Sequence, residues 1–523
     1  MGKWYKNEDI LKISVECDLA YEKKDLNRIL DLSDLCWEKG HDLNNGTMER
    51  AKYLYDSFTS LGDWIQLDSG ARHLKSLYDG FAEVINRYEV EHEKCLYLCR
   101  ASLKLAKEVA SEGFGSIVDK KYFDEFYNSL IVNYSNLLSQ TGRLIRAIYT
   151  LEQINNNLFP MVSGNLGLKI LNLADLDYDK GHAFLLCQDA YHNLVQSLTP
   201  ELLKYNSEAY ICFENSIENL EAQFEIEDLK SSFNVKKENL ENMSSEEINY
   251  RIWCSKHGLS LNSLNDVRYD IDVAYDPVHL PTMILPMVNN IIPSFHGLFN
   301  QIKQEYVSAR YLAYDGLINR NRHFSDKEVF MIDTLDYPVY GLSVEKIKAA
   351  YRSVYAIFDR IAYFLNFYFD LNITERNCSY KTIWSKNSLL HENASKNYPL
   401  LGFKWICKDI ANRSVSKFKN HIDPTMEKIS DVRNKMEHRY FKIVDNKPAY
   451  EDKKRVDEMA FLIEFTEFEE LTIELLRNAR EAIMLLVMTV YVEEGNKRQT
   501  MGPKIKIGGM HLSEYEDDWK QIF

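Results

Sequence analysis

Glycine and proline are scarce in this chain: 21 Gly and 11 Pro stand among 523 residues. Together they make up about 6%, half the usual ~12%. Glycine weakens helix interiors through its backbone entropy, and proline does so by losing a donor and clashing with the preceding turn. Their scarcity favours long helices and few tight hairpins, and it excludes an all-β fold. With 45% hydrophobic and 27% charged residues the chain can build a core, so the expected class is all-α. At ~150 residues per domain the length suggests roughly three domains.

From the N-terminus to about residue 220, apolar residues recur at helical spacing. Ile10, Ile13, Leu19 and Ala20 lead into Leu26, Ile29, Leu30 and Leu35, with a turn at Asp25. Similar helix–turn–helix patterns are expected around Gly62, Gly142 and Gly181. These turns fit a unit of about 40 residues if one degenerate copy lies between 62 and 142. Asn133 to Ile148 resembles a tetratricopeptide-like hairpin, in which small residues let neighbouring helices pack closely. The competing reading is a non-repetitive helical bundle. Residues 225–247 are polar, a linker or a solvated helix. Tyr250 to Pro286 contains LSLNSLND and HLPTMILP, and its three prolines forbid a continuous helix. Such a segment is expected to lie against another part of the chain.

Helical periodicity resumes at Phe299–Leu317, and from Ser343 the pattern is a bundle. Helices are expected over 343–369 with Ser343 as N-cap, 404–415, 424–440 with Asp423 as N-cap, and 454–492. The expected division is therefore a repeat scaffold (1–220), a linker and connector (221–342), a helical bundle (343–495) and a tail with one short strand (496–523).

The net charge is −15, which opposes wholesale binding to nucleic acid. Nine cysteines without a CxxC pair read as reduced thiols of the cytoplasm. Met1 to Ile10 has no apolar run after its lysines, so no signal peptide is expected. Ala482 to Val492 is too short to span a bilayer. Cys95, Cys99 and His92 share a helical face, but nothing nearby completes a ligand set, and no metal is expected. Neither a phosphate-cradling glycine loop nor a serine on a strained turn is present.

One polar arc stands out in DVRNKMEHRY. On a helical wheel Arg433, Asn434, Glu437 and His438 fall on one side, with Met436 and Ile429 opposite. Arginine suits bidentate capture of a phosphate, and histidine moves a proton near neutral pH. The local charge agrees: residues 376–442 hold 14 Lys/Arg against 6 Asp/Glu, so a +8 island sits in a −23 remainder. Tyr380, Trp384, Tyr398, Phe403, Trp405, Phe418, Tyr440 and Phe441 are interleaved with it. Basic groups with stackable rings suit single-stranded RNA.

Arg433-Asn434-x-x-x-His438, late in a helical bundle, resembles the R-x4-6-H signature of the HEPN superfamily. YRIWCSKHGLSLNSLND, DPVHLP and FNQIKQEYVSARYLAYDG are similar to a prokaryotic branch that joins helical repeats to a C-terminal HEPN domain. The resemblance implies a metal-independent endoribonuclease of a toxin or anti-phage system, with no cofactor, working as a homodimer around a composite cleft. In that case His438 acts as base or acid, Arg433 holds the scissile phosphate and Asn434 orients it. Glu437 and Asp359 are candidate supporting carboxylates, and Lys435 and Arg439 candidate RNA contacts. A protein trigger or antitoxin is then expected on the repeats. The alternative is a non-catalytic RNA- or nucleotide-binding module on a repeat-protein adaptor.

Overall fold

A computed structural model describes residues 4–70, 81–154, 159–231, 243–284, 293–334, 337–384, 388–411, 422–445, 457–501, 511–513 and 517–520. The N-terminal part is a succession of helices: α1 (Glu8–Glu22), α2 (Leu26–His41), α3 (Thr47–Ser69), α4 (Phe81–Arg87), α5 (Glu89–Glu112), α6 (Ile117–Gln140) and α7 (Leu144–Glu152). There follow α8 (Pro160–Leu176), α9 (Lys180–Ser197), α10 (Pro200–Tyr205), α11 (Ser207–Glu221), α12 (Ile226–Lys230) and α13 (Ser245–Lys256). Side-chain oxygens of Asn7, Asp25, Ser116, Asp179, Asn206 and Ser244 accept the first free amides of their helices. Three of the four expected turns are present, at Asp25, Gly142 and just before Gly181. The fourth is not: Gly62 lies inside α3, with open space where a side chain would be, so it ends no helix. A regular unit of about 40 residues loses that member.

The connector is ordered by two arginines. Arg480 donates to the carbonyls of Ser260 (2.5 Å) and Asn262 (2.7 Å) and to Asp266 (2.5 Å). Arg310 reaches the Leu259 carbonyl (2.8 Å) and forks onto Asp276 at 2.8 and 2.7 Å. LSLNSLND is thus a buried segment ending in a 3-10 turn (Ser263–Asp266), with carbonyls that accept from side chains of distant helices and amides bonded by Asn262, Asn265 and Asp276 of the connector itself. Arg310 belongs to α14 (Ser294–Ile318), which lies along α15 (Leu342–Tyr368). The cap of α15 is Gly341 at φ +135, not Ser343. Next come α16 (Ser388–Ala394), α17 (Tyr398–Ala411), which starts earlier than the expected 404, and α18 (Pro424–His438). Asp423 caps α18 as expected, accepting from Thr425 (2.9 Å) and Met426 (3.2 Å).

Beyond α18 the helical expectation fails locally. Tyr440–Val444 forms β1 and Ala460–Glu464 forms β2, paired in parallel with Tyr440 opposite Ala460. The long last helix α19 therefore begins at Phe465 and runs to Met501. Around this junction Phe465 and Phe468 are buried, Phe461 stacks on Phe441 across the sheet, and Met459 is exposed. The tail strand expected near the end is not seen in 511–513 or 517–520, and the intervening and flanking positions lie outside the described residues.

One core runs from Met48 to Val490 and joins both halves. Arg100 of α5 forks onto Asp409 of α17, both bonds 2.9 Å, and also reaches the Ile422 carbonyl. Arg143, at the α6–α7 turn, bonds Asp409 (2.7 Å), Glu481 (2.6 Å) and Asn478 (2.9 Å). Alongside it, Gly142 at φ +82 meets Gly402 so closely that a Cβ on either would overlap the other's backbone. Among the described residues no helix is long and apolar enough to cross a membrane.

Candidate active site

The helix α18 presents Met426, Ile429, Val432 and Met436 to the core, as the wheel requires. Its opposite side carries Asn434, Glu437 and His438, all exposed, with Arg433 half-buried. The helix stops at His438 because Arg439 turns extended (φ −133, ψ 169) and leads into β1. His438 is therefore the terminal helical residue, beside a sheet edge, and it has no hydrogen-bond partner among the described residues.

Arg433 is held from below. Its guanidinium lies 5.4 Å from the Tyr355 ring centroid, a cation–π contact, and Nη1 donates to Asn434 Oδ1 at 3.3 Å. The Tyr355 hydroxyl sits 2.6 Å from that of Tyr380 and 2.8 Å from Ser430 Oγ. Because Ser430 donates its proton to the Ile410 carbonyl (2.9 Å), the relay runs from Tyr380 through Tyr355 to Ser430. Among the described residues the guanidinium of Arg433, above a ring fixed in this way, has one weak hydrogen-bond partner.

The supporting residues divide. Asp359, one turn beyond Tyr355, accepts the Tyr380 amide at 3.1 Å. Burial raises its pKa, and the charges of Lys381 and Arg433 act in the opposite sense. Its neighbour Arg360 pairs elsewhere, with Glu305 at 2.5 Å, so an Asp359–Arg360 pair does not form. Glu437 is occupied by Arg352 of α15 at 3.0 Å. Lys435 lies over the Phe461 ring and 3.7 Å from Asp431, turned towards β2 rather than along the polar arc. Arg439 is exposed beyond the helix end. Tyr355, Ser430 and Arg352 were not singled out from the sequence, and Tyr380 was expected as a stackable ring rather than as a support for Tyr355. The available signal was the spacing of Arg352, Tyr355 and Asp359 on one face of α15.

The basic island is a different object from its linear sum. Lys404 and Lys408 are buried and pair with Glu89 and Glu93 of α5, with Lys408 to Glu93 at 2.6 Å. Lys442 is buried against Asp457 at 2.8 Å. Tyr380, Tyr398, Phe403 and Trp405 are core residues, unable to stack on a base. Phe418, Arg413, Lys417 and Lys419 lie outside the described residues. Of the interleaved aromatics, Tyr440 is exposed, two residues from His438.

His92, Cys95 and Cys99 are all buried in α5. The His92 ring bonds the Tyr88 carbonyl at 2.8 Å, and burial lowers its pKa to about 4.

The fold is thus an all-α protein whose C-terminal bundle displays an arginine–asparagine–histidine face on a late helix. This part of the chain, residues 288–493, matches the family model described as LA2681-like HEPN. The match supports the HEPN superfamily, whose domains generally act on RNA, for the segment that contains α14 to α18 and most of α19. Neither a curated protein nor a solved structure matches the chain.

Proposed function

We propose that the chain is a metal-independent endoribonuclease whose working face is the outer side of α18. The observation that carries this reading is the Arg433–Asn434–His438 arc, with Asn434 and His438 exposed and Arg433 half-buried on a tyrosine platform, inside the segment that matches the HEPN family model. His438 accepts the proton of a ribose 2′-hydroxyl as its oxygen attacks phosphorus. The 5′-oxygen leaves and takes a proton, and the other product ends in a 2′,3′-cyclic phosphate. Arg433 holds the phosphate and its developing charge, with Asn434 steering the guanidinium. Two copies of the face, one from each protomer of a homodimer, make a cleft in which one histidine serves as base and the other as acid. The N-terminal helices, clamped to the bundle through Arg100 and Arg143, receive the trigger of a toxin-type or anti-phage response.

The test is cleavage of total RNA by the full chain in EDTA, beside His438→Ala and Arg433→Ala. Wild type is expected to leave cyclic phosphate ends, and both variants to be inactive. RNA substituted with 2′-deoxyribose should resist. Equal cleavage by wild type and both variants overturns the site. Binding of RNA without cleavage under any condition favours a non-catalytic module.

A further inference from the structure

A second, separate place in the molecule has the form of a ligand site. Between the α8–α9 turn, the connector and the second half of α19 lies a cleft of about 150 Å³. A cavity of that size holds a benzene ring, whereas a single water needs only about 10–15 Å³ of such space. Three elements supply apolar walls: Leu176 from α8, Val278 from the connector, and Met484, Val487 and Met488 from α19. Methionine sulfur packs favourably on aromatic rings.

The polar groups around this space are mostly acceptors. Asp177 is buried, and its carboxylate takes the Asp179 amide (2.9 Å) and the Ser263 hydroxyl. His182 Nδ1 lies 3.5 Å from Ser263 Oγ. Since the serine proton goes to the carboxylate, the imidazole does not activate that hydroxyl, and the trio is no hydrolase triad. His279 Nδ1 is 2.8 Å from the Leu280 carbonyl, so Nδ1 carries the hydrogen and Nε2 of the neutral ring is an acceptor. One donor faces them: the Tyr178 hydroxyl accepts the His279 amide (2.9 Å), which leaves its own proton to give. The rings of Tyr178 and His279 stand 4.8 Å apart at the rim.

We infer that this cleft binds an amino-substituted nitrogen heterocycle, a cytosine-like ring or the six-membered edge of adenine, as a free base or mononucleotide. The exocyclic amine donates to His279 Nε2 and Asp177, and Tyr178 donates to a ring nitrogen or carbonyl. The ring lies among the methionines. The cleft is remote from α18: Met484 is 16 residues along α19 from Phe468, which contacts Phe441 of β1, about 24 Å of helix. The ligand is therefore an effector and not a substrate base.

The experiment is calorimetry and thermal melting of the full chain, in a His438→Ala background so that RNA cleavage plays no part. Cytosine, adenine, their monophosphates, uracil and a short RNA oligonucleotide are the probes. Cytosine or adenine is expected to raise the melting temperature saturably. Uracil, which presents a carbonyl in place of the amine, should bind at least tenfold more weakly. His279→Ala, at the exposed rim, is expected to keep the parent's circular dichroism and to weaken binding at least tenfold, and Met488→Trp should block it by filling the cleft. No heat and no melting shift with any base or mononucleotide overturns the inference. So does uracil binding as tightly as cytosine, or His279→Ala binding as tightly as its parent. Binding of the oligonucleotide alone assigns RNA and removes the small effector.

Discussion

Two groups of arginines in this molecule have opposite surroundings. Arg100 and Arg143 are buried, each with at least three good hydrogen bonds to Asp409, Glu481, Asn478 or backbone carbonyls. Among the described residues Arg433 has a ring beneath it and a single 3.3 Å bond to a neighbouring amide. The histidines split in the same way, with His92 sealed in α5 and His438 exposed at the end of α18. The first set fastens the N-terminal helices to the bundle. Among the described residues the second has no carboxylate bonded to it, only a ring and an amide, and that leaves its charge available to a ligand. An ionic group's partners, not its type, separate scaffold from site.

The contrast can be broken most severely at its buried end. Asp409→Ala strips two buried guanidiniums of their shared carboxylate and should cost about 3–5 kcal/mol in urea unfolding. His438→Ala should leave unfolding within about 0.5 kcal/mol while lowering RNA cleavage by about 10²–10⁴-fold. If the two variants exchange these outcomes, the division between scaffold and site is wrong. The paired histidines give a sharper form. With its pKa lowered to about 4 against ~6.5 in the unfolded chain, His92 is neutral in the fold while the unfolded imidazole protonates. Stability is therefore present above pH 6.5 and lost as pH falls towards 4, by up to about 3 kcal/mol. His92→Gln should flatten that slope in melts taken across the window, and His438→Gln should not. The smallest effect is expected at Tyr355→Phe. It breaks the Tyr380–Tyr355–Ser430 relay but keeps the ring under Arg433, for about 1 kcal/mol of stability with cleavage largely retained.

Much of the local structure was legible because it is written locally. Asp423 before Pro424 announced the start of α18, and the wheel separated Met436 from His438, since both rest on neighbours within a turn or two. Other features were illegible, most of them because the partners that decide them lie elsewhere in the chain. YFKIV and AFLIE become strands only when paired with each other across a crossover. Lys404 and Lys408 counted as a basic island until Glu89 and Glu93, more than 300 positions earlier, neutralised them. Gly62 looked like a turn because glycine often is one, but its helix is held on both sides by Tyr53, Leu54, Leu61 and Ile65 packing into the core. The tyrosine platform under Arg433 had the same obstacle, for it joins α15, α17 and α18 and the segment around Tyr380.

The meeting of Gly142 and Gly402 has a consequence for synthesis. A ribosome adding ~5–20 residues per second delivers residue 402 roughly 13–50 s after residue 142. Through that interval Arg100 and Arg143 are made but their counter-charges Asp409 and Glu481 are not. The nascent N-terminal half therefore waits with cations and a bare glycine notch on the surface that later becomes interior. Translation speed through the stretch between them sets how long that surface is open to competitors.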